Sequence, residues 1–120
     1  MVIEDDTDIR ETMVYALEQE GFVVVASEDS RILKHIHQHN PDMILLDNWL
    51  SDWKSDASGE QLSKQLKSDP TTKHIPIVIV SAVSNIKDIA ESGLADDFLR
   101  KPFDLKDLIW IVQRFTADKV

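Results

Sequence analysis

Short apolar runs alternate along the chain with longer segments whose apolar residues recur every three or four positions. The first kind of run suits buried strands and the second suits amphipathic helices. Val2-Ile3 is an apolar stub that leads straight into Glu4-Asp5-Asp6. Ile9, Met13, Ala16 and Leu17 then keep helical spacing, with Thr7 or Asp8 placed to cap the start and Gly21 to end the helix. Phe22 to Ala26 is β-branched and aromatic and predicts a strand. Ile32, Leu33 and Ile36 mark a second helix that stops before Asn40-Pro41, and Met43 to Leu46 is a buried strand ending at Asp47. Residues 48–58 have no period and many turn formers, so they predict a loop. Leu62 and Leu66 lie on a third helix broken by Asp69-Pro70. Ile75 to Val80 is a continuous strand ending at Ser81, and Ile86, Ile89 and Ala90 form a short helix before Gly93. Phe98-Leu99 is a brief strand before Lys101-Pro102, and the last helix carries Leu105, Leu108, Ile109, Val112 and Phe115 on one face.

The order is (βα)5. Strands without polar alternation, set between amphipathic helices, imply a doubly wound five-stranded parallel sheet covered on both faces. Ligands of such sheets bind at the carboxyl ends of the strands. The residues expected there are Glu4, Asp5 and Asp6 after the first strand, Asp47 after the third, Ser81 after the fourth and Lys101 after the fifth.

Composition narrows the field. With 120 residues the chain has the length of one domain, and 42% apolar residues suffice for a core without staples. It has no cysteine, which excludes disulfides and cysteine-based zinc sites. Its start has no basic, then apolar, secretory pattern, and no apolar run approaches the ~20 residues of a membrane helix. The expected location is therefore the cytoplasm. A net charge of −9 argues against direct binding to nucleic acid, which calls for basic patches.

The strand-end residues form a coherent chemical set. Three converging carboxylates repel one another, and a hard divalent cation removes that penalty. Oxygen-only ligation with open positions suits Mg²⁺ together with a phosphate oxygen. The Ser81 hydroxyl and the Lys101 ammonium can hold further phosphoryl oxygens, and Asp47 is a candidate nucleophile. An acidic helix cap is the plainer explanation of Glu4-Asp5-Asp6 in isolation.

Across essentially its whole length the chain resembles the receiver domain of two-component response regulators, a flavodoxin-like fold. The resemblance rests on Val2-Ile3-Glu4-Asp5-Asp6, Asn40 to Asp47, Ile75 to Ala82 and Asp97 to Phe103, in that order. It implies that Asp47 is the phosphoacceptor, phosphorylated by a histidine kinase or a histidine phosphotransfer protein. It implies Mg²⁺ as cofactor, bound by Asp5 directly, Glu4 through water, Asp47, and the backbone carbonyl of Trp49. Ser81 matches the switch hydroxyl, Phe98 the aromatic that turns inward behind it, and Lys101 the lysine that pairs with a phosphoryl oxygen. The Lys101-Pro102 bond is expected to be cis. The module is expected to be a switch that assists only its own phosphotransfer and dephosphorylation, and to be cut from a longer protein.

Three departures stand out. Ser51 and Ser55 occupy the usual proline and glycine positions, and Gly59 resembles the displaced glycine, which implies about four inserted residues, Trp53 among them. The first strand is short. Trp49 and Val83 stand where the family tunes loss of the phosphoryl group, and their apolar character leads us to expect slow autodephosphorylation.

The remaining features are plainer. His35 and His39 share a helix face and His37 does not, so the run reads as a solvated surface. Trp110 falls opposite the apolar face of the last helix, between Lys106 and Arg114. In receivers the fourth helix, fifth strand and fifth helix form a partner surface, which includes homodimer contacts, and Trp110 is a candidate anchor. The competing reading is a receiver-like interaction module that is not phosphorylated. A phosphatase with an aspartate nucleophile is disfavoured, because such enzymes resemble Asp-x-Asp and the second position here is Trp49.

Overall fold

Apolar β-branched runs that bury both faces fix the architecture. The computed structural model describes residues 1–48 and 58–117. The order is β1 (Val2–Ile3), α1 (Thr7–Gln19), β2 (Ala26–Ser27), a 3₁₀ segment (Ser30–His35), α2 (Ile36–His39), β3 (Ile44–Asp47), α3 (Gly59–Ser68), β4 (Ile77–Ser81), α4 (Ile86–Ser92), β5 (Asp97–Arg100) and α5 (Leu105–Thr116). Among the described residues the strands form one parallel sheet of order β2-β1-β3-β4-β5. The reversal of strand order lies between β1 and β3, where doubly wound sheets open their ligand crevice.

Alternation along each strand divides the core in two. Leu45, Val78 and Val80 face α1 and α5, where they meet Met13, Leu17, Leu108 and Val112. Ile44, Leu46, Ile77 and Ile79 face the other way, onto Ile36, Leu62, Ile86 and Ile89. β4 thus presents valine to one helical layer and isoleucine to the other, and all five of its residues are buried.

Four expectations need correction. The second strand spans only Ala26–Ser27 instead of Phe22 to Ala26, because β1 offers two residues to pair with, Val2 opposite Ala26 and Ile3 opposite Ser27. Val23 is consequently almost wholly exposed. The second helix is a 3₁₀ segment followed by one α-turn, and Asn40 ends it with φ 43° before Pro41. The first helix is capped by Asp6, whose carboxylate accepts the Ile9 N–H at 3.0 Å, and not by Thr7 or Asp8. On α5 the buried stripe is Leu108, Ile111 and Val112, while Leu105 lies exposed in the first turn.

A polar knot closes the amino-terminal edge of the sheet. Lys67, near the end of α3, donates to the Ile75 carbonyl at 2.8 Å and the Lys73 carbonyl at 3.2 Å. Its ammonium also pairs at 2.6 Å with Asp96, whose Oδ2 accepts the Ile77 N–H at 2.8 Å. One largely buried side chain therefore joins α3, the entry to β4 and the entry to β5. We expect Lys67→Ala to lower unfolding free energy by about 2 kcal/mol in urea titrations, through the carbonyls and the carboxylate it leaves unpaired.

Candidate functional site

The sheet delivers its polar residues to a single edge because each strand turns polar where it leaves the core. Glu4 follows β1 and its N–H still donates to Ser27 at 3.0 Å, so it sits at the very end of the ladder. Asp47 is the last residue of β3 and is buried. Lys101 follows β5, its N–H bonded to the Ser81 carbonyl at 2.9 Å, and the Lys101-Pro102 bond is cis as expected.

Glu4, Asp5 and Asp47 each bring a carboxylate oxygen into a cluster in which these atoms lie within 4.8 Å of one another. The Lys101 ammonium stands 2.5 Å from Glu4 Oε1 and 3.6 Å from Asp47 Oδ1. Glu4 Oε1 is buried and accepts no hydrogen bond, so the ion pair is its compensation. Burial, and then the neighbouring Glu4 and Asp5 carboxyls, push the Asp47 carboxyl up to about 8, against an opposing pull from Lys101. The donor set consists of hard carboxylate oxygens, and it fits a divalent cation.

Ser81 ends β4, buried, with Oγ accepting the Val83 N–H at 3.3 Å. Phe98 lies half-buried in β5 and packs on the isoleucine side of the core with Val83. Trp110 is 60% exposed, and the Arg114 guanidinium lies 5.6 Å from its ring centre. His35, His37 and His39 are exposed. Trp49, Ser51, Trp53 and Ser55 lie outside the described residues.

Asn48 is the residue that sequence reasoning passed over. It is buried beside Asp47, and its Oδ1 accepts the Glu60 N–H at 3.1 Å while its carbonyl accepts the Gly59 N–H at 2.8 Å. A Cβ on Gly59 would stand 2.5 Å from the Asp47 carbonyl oxygen, so the close docking of α3 on β3 requires glycine. The signal available was an amide directly after a buried strand, at a place where an apolar residue would normally continue the core.

A doubly wound sheet of this order, with an acidic pair, an aspartate and a lysine at the carboxyl edge, defines a signalling receiver. Residues 1–113 match the response regulator receiver domain family, and the chain belongs to it. It is 38% identical over 113 residues to the phosphate regulon transcriptional regulatory protein PhoB of Escherichia coli, covering 91% of this chain and 47% of that protein. It is 32% identical over 113 residues to the DNA-binding response regulator MtrA of Mycolicibacterium smegmatis, covering 91% of this chain and 46% of that one. The chain thus spans about half the length of these relatives. The receiver domain of NtrX from Brucella abortus superposes with a TM-score of 0.83 at 30% identity, over 97% of this chain and 96% of that one. No helix among the described residues is long and apolar enough to cross a membrane.

The raised Asp47 carboxyl has a signed consequence. Folded Asp47 keeps a proton that the unfolded chain releases above the ordinary value of 3.8, so stability falls as pH rises from there to about 8. In the presence of a chelator, we expect the stability advantage of Asp47→Asn over the parent to grow between about pH 5 and about pH 8 in urea titrations.

Proposed function

We propose that this receiver domain is a phosphoacceptor switch, with Asp47 phosphorylated by a histidine kinase or a histidine phosphotransfer protein. The observation that carries the reading is the crowding of Glu4, Asp5 and Asp47 within 4.8 Å beside Lys101. An Asp47 carboxylate oxygen forms the new bond to phosphorus as the bond from phosphorus to the donor histidine nitrogen breaks. The electron pair stays on that imidazole, which takes a proton from solvent.

Glu4, Asp5, Asp47 and the backbone carbonyl of Trp49 would hold Mg²⁺, which supplies charge neutralisation for the carboxylates and for the phosphoryl oxygens. Lys101 is already drawn towards this space by two carboxylates, and it can turn its ammonium to an oxygen of the incoming group. Asp47 must be ionised to attack, so the proton favoured by its burial has to leave first. The Ser81 hydroxyl, held by the Val83 N–H at 3.3 Å in this conformation, is free to donate its own proton to a phosphoryl oxygen.

The readout is a two-state bias in which Ser81 and Phe98 change position together. The affected surface is the α4, β5 and α5 face, with Trp110 as a contact for a partner or a second receiver. The domain acts as a switch and not as an enzyme on external substrates. The greater length of PhoB and MtrA supports placing residues 1–120 as the receiver portion of a longer regulator, with any DNA binding carried elsewhere in it.

Incubation with a small phosphodonor and Mg²⁺, followed by intact mass, tests the reading. We expect a gain of ~80 Da in the parent and none in Asp47→Asn. No gain with any donor would favour a receiver-like interaction module instead.

A further inference from the structure

β1 ends at Ile3 in both its pairings, with β2 and with β3, and the Glu4 N–H donates to Ser27 just beyond it. Asp47 instead lies inside the ladder opposite Val80, and the next N–H, that of Asn48, donates to Val80. The Glu4–Asp6 turn thus carries two of the three acids beyond the last ladder residue of its strand.

Arg10 holds that turn from the helix side. Its guanidinium Nη1 donates to the Glu4 carbonyl at 2.8 Å and reaches the Asp5 carbonyl at 3.5 Å. Its own N–H closes the first turn of α1 on the Asp6 carbonyl at 2.9 Å. Backbone and side chain of one residue thus return to three successive carbonyls of the acidic turn. Meanwhile Glu4 Oε2 accepts the Asp6 N–H at 3.3 Å, which couples the side chain to the same backbone. We propose that Arg10 is the positioning residue of the cation site, pinning the Glu4 and Asp5 carbonyls so that their carboxylates stay gathered against Asp47. The assignment rests on the reading of these three acids as a cation site. Arg10 does not touch the cation; it acts through the backbone that presents the ligands.

The alternative roles of Arg10 differ in sign. A guanidinium that mattered only as a nearby positive charge would repel the cation, and its removal would tighten binding. A purely structural brace would lower stability and leave affinity unchanged. A positioning residue weakens binding when removed, and outer-shell groups of this kind typically change metal affinity by about 10- to 100-fold.

Mg²⁺ titrations of the parent, Arg10→Ala and Arg10→Lys, followed by amide shifts in two-dimensional NMR, separate these cases. Thermal unfolding is measured alongside. We expect about a tenfold weaker Kd in Arg10→Ala and an intermediate value in Arg10→Lys, which keeps the charge and one donor. Phosphorylation of Arg10→Ala should need more Mg²⁺ yet approach the parental maximum rate at saturation. An unchanged or tighter Kd in Arg10→Ala overturns the assignment, whatever happens to Tm. If the parent binds Mg²⁺ but takes no phosphoryl group, the switch reading fails and the Kd comparison still judges Arg10. If the parent binds no Mg²⁺, both fall.

Discussion

Glu4, Asp5 and Asp47 each bring a carboxylate oxygen into a space less than 5 Å across at the edge of the sheet, and the Lys101 ammonium pairs with two of them. At such separations in a partly buried setting, like charges raise one another's proton affinity. Much of the surrounding structure answers that constraint. β3 sets Asp47 opposite Val80 of β4, Lys101 leans towards Glu4, and the Asp6 N–H and Arg10 bond to the turn after β1. The proposed chemistry draws on that crowding, since a carboxylate cluster is relieved by a divalent cation.

The two-sided core explains how so small a sheet sustains this arrangement. Isoleucine on one face of β4 and valine on the other pack both helical layers onto the same buried strand. The polar knot around Lys67 closes the opposite edge, so the strands are tied at their entries as well as crowded at their exits.

Much of this was legible in the sequence. Apolar runs without alternation announced parallel strands, and topology alone brought Glu4, Asp5, Asp47, Ser81 and Lys101 to one edge. The cluster of Glu4, Asp5 and Asp47 and the pairing with Lys101 supply the distances that a sequence lacks. What escaped has physical reasons. Phe22 to Val25 has strand composition, yet strand formation needs a partner, and β1 is two residues long. Leu105 has the right spacing but lies exposed in the first turn of α5, and the buried stripe runs through Leu108, Ile111 and Val112. Asn48 and Arg10 bond to backbone groups, and of the two only Asn48, an amide directly after a buried strand, offers a residue type to read.

The union of the Asn48 carbonyl with the Gly59 N–H at 2.8 Å has another effect. It closes the chain between Asn48 and Gly59 into a loop whose ends are fixed to each other. Chain length beyond such a closure enters stability logarithmically, about 0.6 kcal/mol for each doubling. A longer or different stretch between these two residues would therefore cost the scaffold little. An engineer could use the same tolerance to insert a reporter peptide between Asn48 and Gly59, directly after Asp47.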